Sequence, residues 1–148
     1  MRPRDLTRKT WHDHEHEFVT RSGLRVFIAW GNQSVSLTTT AAGTQCSVTF
    51  SKRCWNHIVD WLDGLDQSGF WKSGKPEREL EHKQIDQHVS VRATKYIYTE
   101  GAVPGLLDKR ERDHTVAFKP KPTGTWDMQM WIIPTELRQI TKWYNSSR

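Results

Sequence analysis

The sequence predicts an α+β fold with two antiparallel β-meanders, each followed by a helix that packs on the sheets. Several segments alternate apolar and polar residues with a period of two, which indicates half-buried strands. After Ser51, and again after Pro134, the period becomes that of an amphipathic helix. Because strands come in runs and do not alternate with helices, the pattern favours antiparallel sheets. A chain of 148 residues suits one compact domain.

The first meander lies in a predicted N-terminal unit, residues 1–66. Residues 24–30 alternate and are followed by the turn signal Gly31-Asn32, which predicts a strand that enters a hairpin. Residues 35–40 and 45–50 keep the same period, so three consecutive strands are expected. The segment 11–19, WHDHEHEFV, is a candidate for a strand that precedes them.

A helix is predicted after this meander. Its apolar residues recur at i, i+3, i+4 and i+7, namely at Trp55, Ile58, Val59 and Leu62. Ser51 is a suitable N-cap, because its hydroxyl can accept a hydrogen bond from an N–H group of the first turn. Gly64 or Gly69 is expected to end the helix.

Residues 67–87 separate the two units. They contain Ser, Gly and many charged residues, with only Leu80 and Ile85 as apolar residues in the charged part. This composition predicts a linker with at most one short solvated helix.

The second unit, residues 88–148, begins with an alternating segment that predicts a strand over 88–98. A loop is expected over 102–113 and further strands over 114–119 and 125–133. Leu137, Ile140 and Tyr144 then have helical spacing, and Pro134 with Thr135 favours a helix start. This unit therefore repeats the order of strands followed by a helix.

The two strand-then-helix segments can be aligned as an internal repeat. An offset of 82 residues places Cys46, Val48, Phe50, Trp55, Ile58, Trp61 and Leu62 on Met128, Met130, Ile132, Leu137, Ile140, Trp143 and Tyr144. Every pair joins two apolar residues, although Val59 falls on Thr141. Either a duplication or one α+β domain that uses the same unit twice explains this match. The alignment also predicts that residues 88–98 correspond to about 6–16.

Composition and charge narrow the classes of function. The chain has 22 Lys and Arg against 17 Asp and Glu, a net charge of +5 that favours anionic partners. Eight Trp argue against a disordered chain and leave rings for the surface. The longest stretch without charge, residues 26–51, is rich in Ser, Thr, Asn and Gln, so no membrane span is expected.

The N-terminal sequence and the two cysteines predict the compartment. No apolar segment opens the chain, so a secretory signal is not expected. Cys46 and Cys54 lack metal-site or CxxC spacing and are predicted to be reduced thiols. We therefore expect a cytoplasmic or other reducing intracellular compartment, and no secretion.

One predicted strand face combines aromatic and basic residues: His88, Arg92, Tyr96 and Tyr98, with Lys95 near it, Lys119 and Lys121 beyond the next strand, and Trp131 on an exposed side. Aromatic rings on an open sheet can stack on bases, and Lys and Arg can pair with phosphates. The sequence therefore predicts a non-enzymatic protein that binds single-stranded DNA or RNA without a cofactor. Arg25, Phe27 and the neighbouring hydroxyls are the corresponding face of the first unit.

A second hypothesis explains the same aromatic residues. Outward rings on a half-covered sheet are also typical of a protein interface or dimer seam. The protein would then be an interaction or assembly module, and a homo-oligomer is expected under both hypotheses. The salt dependence of binding distinguishes the two hypotheses, because phosphate contacts weaken steeply with salt.

A third hypothesis is a small metal-assisted nuclease. His12, His14 and His16 recur every second residue, and imidazole is a common zinc ligand. Successive ligands on one extended strand lie about 7 Å apart, so surface histidines are the simpler interpretation. A nuclease would use His12, His14, Glu15 and His114, and the charged run 108–114 mixes acid, base and His as such sites do.

The strand and helix VTFSKRCWNHIVDWLDGL resemble the last strand and helix of the positive-cofactor-type transcriptional coactivators that bind single-stranded DNA. The doubled unit resembles the plant Whirly proteins, which carry two sheet-plus-helix repeats. The matching features are a strand, the polar N-cap Ser51 and Trp55 in the helix, then a strand that ends at Ile133 before Leu137 and Ile140. The Lys-Gly-Lys strand signature of Whirly proteins is absent. The resemblance implies an antiparallel sheet crossed by bases, with helices in the core or oligomer interface, and assembly into dimers or tetramers.

Overall fold

The computed structural model describes residues 13–72, 79–85, 89–100, 109–119 and 128–148. Within these ranges the chain forms two four-stranded antiparallel sheets and two helices, which confirms the α+β class. Sheet A has the order β1 (His14–Val19), β2 (Arg25–Trp30), β3 (Ser34–Ala41) and β4 (Thr44–Ser51). Helix α1 (Lys52–Gln67) follows it.

Sheet B repeats this order with β5 (Glu79–Gln84), β6 (Ser90–Glu100), β7 (Lys109–Lys119) and β8 (Met128–Trp131). Helix α2 (Pro134–Asn145) follows sheet B. The two β-meander plus helix units that the periodicity predicts are therefore present.

Both helices begin as the sequence predicts. The Ser51 hydroxyl accepts a hydrogen bond from the Cys54 N–H (3.1 Å) and caps α1. Pro134 is the first residue of α2, where its missing N–H leaves no bond unmade. Gly64 lies inside α1, and the helix ends before Gly69, whose φ of +83° strains any residue with a Cβ.

Two predictions for the second unit are wrong. Residues 79–84, expected in a linker with at most a short helix, form the edge strand β5. Residues 109–113, expected in a loop, belong to β7. Both segments are highly charged, and a strand with few apolar residues shows no apolar alternation from which it could be recognised.

The structure also corrects part of the repeat alignment. The offset of 82 residues holds for the strand-helix junctions, because it places Lys52, the first residue of α1, on Pro134. The second strand of sheet B is β6, so residues 88–98 do not correspond to 6–16. An offset of 65 instead brings the β1–β2 register (His14↔Trp30) onto the β5–β6 register (Glu79↔Lys95).

One hydrophobic core joins the two units. It contains the inner faces of both sheets together with the apolar stripes of α1 and α2. The Phe50 ring contacts Trp55 of α1 (centroids 5.5 Å apart) and Phe118 of sheet B (5.4 Å). The inner faces of the two sheets therefore contact the same aromatic rings and belong to one core.

Each helix ends against the sheet of the other unit. Tyr144 of α2 makes an edge contact with Trp30 of sheet A (5.4 Å between centroids). Trp71, just after α1, makes an edge contact with His114 of sheet B (5.5 Å). Both helices thus pack on the core side of the sheets. The opposite face of sheet B is the one that carries the predicted binding site.

Candidate nucleic-acid interface

Strand register defines a face of sheet B that lies opposite the core. Paired residues of antiparallel strands share a face, and three rows result: Leu80, Thr94, Thr115 and Trp131; then Arg92, Ala117 and Gln129; then Gln84, Ser90 and Lys119. We call these residues the sheet B face. Rows lie about 7 Å apart along the strands, and strands lie about 4.8 Å apart.

Trp131 is the large aromatic side chain of this face. It lies on the edge strand β8 and is 50% exposed. Its backbone is held in place because the Ser22 hydroxyl donates a hydrogen bond to the Trp131 carbonyl (3.0 Å). The exposed Trp131 ring is therefore available at the sheet edge for a base to stack on.

Arg92 and Lys119 supply positive charge on the same face. Both are half-buried, and they lie on the central strands β6 and β7. Ala117 lies between Arg92 and Gln129 in their row, and it is buried. The 1% exposure of Ala117 means that neighbouring atoms cover this point of the face.

Lys95 does not belong to this face, and its prediction as a phosphate contact is wrong. Its side chain points into the core and is only 1% exposed. The ammonium donates a hydrogen bond to the Phe70 carbonyl and lies 4.7 Å from the centre of the Phe70 ring. Val91 and Ala93 of β6 face the core, and Lys95 has the same orientation.

The two tyrosines of the prediction lie where β6 extends past its neighbour β5. The backbone register pairs Tyr96 with Asp113 and Tyr98 with Glu111. The side chains of these two tyrosines lie outside the described part of the structure, as do all of His88 and Lys121. The predicted basic and aromatic face therefore also has carboxylate residues paired across from its tyrosines.

The corresponding face of sheet A is polar and close to neutral. Arg25 forms an ion pair with Glu17 (3.1 Å), and both side chains are largely exposed. Phe27 is half-buried and is paired with Thr38 on β3 and with Glu17 on β1. The Thr38 and Ser47 hydroxyls form a hydrogen bond with each other (2.8 Å). Sheet A thus presents hydroxyls that already bond within the sheet.

The histidines of β1 take part in an aromatic stack. His16 lies parallel to Trp143 of α2, with centroids 4.5 Å apart and 9° between the ring planes. His14 and His16 also stack on Trp30, at 5.1 and 5.4 Å. His12, the third residue of this pattern, lies outside the described residues.

The proposed nuclease residues are not brought together in the described part. His14 lies on sheet A, whereas His114 is buried on sheet B beside Trp71. Among the described residues no group of three or more His, Cys, Asp or Glu is placed to hold a metal ion.

Two further findings concern the cysteines and the helices. Cys46 is half-buried and Cys54 is buried, and neither is in a disulfide. Neither α1 nor α2, the helices of the described ranges, is long and apolar enough to cross a membrane.

Leu80 and Ala117 are among the residues of the sheet B face that the sequence does not single out. Leu80 was assigned to the linker, yet it is 44% exposed on β5, in the same row as Trp131. Ala117 gave no signal, because a buried alanine in a strand has no chemistry of its own.

Comparison with known protein families, curated proteins and solved structures finds no match to this chain.

Proposed function

We propose that the protein binds single-stranded nucleic acid on the sheet B face, without catalysing a reaction. The observation that carries the proposal is Trp131, a half-exposed ring on the same face as Arg92 and Lys119. Rings that stack on bases beside cations that neutralise phosphates are the two components of single-strand recognition. A duplex would offer the ring no free base plane.

The arrangement of the three residues supports a path along the strands of sheet B. From Trp131, Arg92 is one row and two strands away, and Lys119 is two rows and one strand away. At ordinary sheet spacings the backbone positions of both residues are then roughly 12 to 15 Å from that of Trp131. One extended nucleic-acid strand could contact all three residues.

The fold also agrees with what the resemblance to Whirly and positive-cofactor-type proteins implies. Each unit has a four-stranded antiparallel sheet followed by a helix, and the helices lie in the core. In that arrangement the face opposite the helices is the one that bases can cross.

The second candidate function, an assembly module or homo-oligomer, is favoured by one specific observation. Leu80 and Trp131 are two of the exposed large apolar residues, and they flank the same row of the sheet B face. An exposed apolar surface among polar residues is a feature of protein interaction sites. Both candidate functions use the same surface, and measurements in solution can distinguish them.

The test is fluorescence anisotropy of labelled oligo-dT, oligo-rU and a matched duplex at two salt concentrations. Trp131→Ala should weaken single-strand binding by roughly 1 to 3 kcal/mol. Arg92→Gln should reduce the slope of log affinity against log salt by about one. Gln139→Ala, an exposed neutral residue on α2 and outside the sheet B face, is the matched control.

Absence of single-strand binding by the wild-type protein would reject the proposal. Sedimentation velocity on the same variants examines the second candidate. The sheet B face is a protein interface if Trp131→Ala converts an oligomer into a monomer and the affinity for each oligonucleotide does not depend on salt.

A further inference from the structure

A cleft lies between helix α1 and the end of strand β5. Its volume is about 380 Å³, and its described lining residues are Ser51, Arg53, Cys54, His57 and Ile85. This volume lies within the usual range of small-ligand sites, about 300 to 1,000 Å³. The cleft is therefore large enough to hold a phosphate group with a sugar attached.

The chemistry of the lining favours an anion. Arg53 and His57 are four residues apart on α1, so they lie on the same side of the helix. Both are exposed, and none of the described lining residues is a carboxylate. The guanidinium offers several N–H donors in a fixed plane, which suits phosphate oxygens.

The nearest acidic residue along the helix is occupied elsewhere. Asp60 is one turn beyond His57, and its carboxylate accepts two hydrogen bonds from the Arg148 guanidinium (2.7 and 3.0 Å). Arg148 lowers the pKa of Asp60, with a smaller contribution from His57. Asp60 is therefore held as an anion by Arg148.

The cleft is close to one end of the sheet B face. Ile85 follows β5 directly, and its N–H donates a hydrogen bond to the Val89 carbonyl (2.8 Å) at the start of β6. The row Gln84, Ser90 and Lys119 is at this same end of the sheet. Lys119 and the cleft residue Ile85 are therefore at the same end of sheet B, so one nucleic-acid strand can contact both Lys119 and the cleft.

We propose that this cleft binds a phosphate group of a single-stranded nucleic acid through Arg53 and His57. The proposal rests on the proposed function only for the identity of the ligand. The phosphate can be a terminal one or a phosphodiester within the strand. The chemistry at the cleft is the same in both cases.

The first experiment needs no nucleic acid. Inorganic phosphate is titrated into the full chain while the imidazole signals of His57 are followed by NMR. We expect the His57 signals to shift with phosphate in the wild-type protein and in Lys52→Gln, and to shift much less in Arg53→Gln. Lys52 precedes Arg53 and has the same charge, but it is not one of the described lining residues.

The second experiment compares oligo-dT with a 5′-phosphate and with a 5′-hydroxyl. Arg53→Gln should weaken binding by roughly three- to thirtyfold relative to Lys52→Gln. Loss of an advantage of the phosphorylated oligonucleotide identifies a terminal phosphate, whereas equal loss for both oligonucleotides identifies a phosphodiester.

Unchanged His57 signals together with equal affinities of Arg53→Gln and Lys52→Gln would overturn the proposal. A shift of the His57 signals in a protein that binds no oligonucleotide would support the cleft as a phosphate site and reject nucleic-acid binding by the sheet B face. The failures of the two proposals can thus be told apart.

Discussion

Lys95 occupies in sheet B the register position that Trp30 occupies in sheet A. Both side chains are buried, and each donates a hydrogen bond to a residue just beyond the helix of the other unit. The Trp30 indole N–H donates to the Ser147 hydroxyl (2.9 Å), and the Lys95 ammonium donates to the Phe70 carbonyl. The two units therefore fasten their exchanged helices at the same point with different chemistry.

Replacement of Lys95 should change stability and leave nucleic-acid binding unchanged. Lys95→Ala is expected to lower the free energy of unfolding by about 1 to 3 kcal/mol, because the Phe70 carbonyl loses its buried donor. Lys95→Met keeps most of the volume and removes the buried charge, so it should cost less than Lys95→Ala. Urea unfolding measures the first effect and oligonucleotide anisotropy the second.

A loss of oligonucleotide affinity in folded Lys95→Met would contradict this assignment. Gln129→Ala is the control for stability, since its side chain is exposed on β8.

Lys95 also shows what could and could not be predicted from sequence. The alternation of Val91 and Ala93 placed the β6 faces correctly, and Lys95 is on the apolar side by that alternation. A lysine is nevertheless expected at the surface, because burial of a charge is costly without a partner. The partner here is the Phe70 backbone, 25 residues away, and no sequence pattern indicates that contact.

The parallel rings of His16 and Trp143 should contribute to stability as a pair. They join edge strand β1 to the C-terminal helix at a centroid distance of 4.5 Å. A double-mutant cycle with His16→Ala and Trp143→Ala should give a coupling energy of about 0.5 to 1.5 kcal/mol at neutral pH. Urea unfolding of the four proteins measures it.

Trp61 provides the matched control for this cycle. It is the repeat counterpart of Trp143 and is also half-buried, but the described residues include no ring stacked on it. The effects of His16→Ala and Trp61→Ala should therefore add. Additive effects for His16 and Trp143 as well would show that the observed stack contributes no energy of its own.

The ion pairs between the helices predict a loss of stability in acid. Arg138 donates two hydrogen bonds to Asp66 (2.7 and 2.8 Å), and it lowers the pKa of that carboxyl below its usual 3.8. A lowered folded-state pKa gives stability that is present above pH 3.8 and is lost as the pH falls through the folded value. Asp60 and Arg148 act in the same direction.

Arg138→Ala should therefore lower stability at pH 7 by about 0.5 to 1 kcal/mol, since the pair is partly exposed. The difference from wild type should shrink as the pH falls below 3.8. Thermal unfolding of both proteins at several pH values measures it, and Lys142→Ala on the same helix is the control. A difference that stays constant in acid would show that Arg138 acts through packing and not through Asp66.

The sequence predicted the fold better than the site. The meander of sheet A and both helix starts followed from periodicity and caps, because their apolar residues face a single core. Strand β5 escaped prediction, since ELEHKQ has one apolar residue and its strand structure comes from pairing with β6. Arg53 and His57 have the right spacing for one helix face, but the cleft beside them depends on the end of β5.

Sheet A and sheet B should differ in their contribution to nucleic-acid binding. Both Arg25 and Phe27 were predicted to contribute, but Arg25 is paired with Glu17 on its own face. Arg25→Gln should leave oligo-dT affinity and its salt slope unchanged, whereas Arg92→Gln should reduce the slope by about one. Both changes remove one unit of charge, so a general electrostatic effect would lower both slopes equally. A reduced slope for Arg25→Gln alone would place the strand on sheet A and reject the sheet B face as its site.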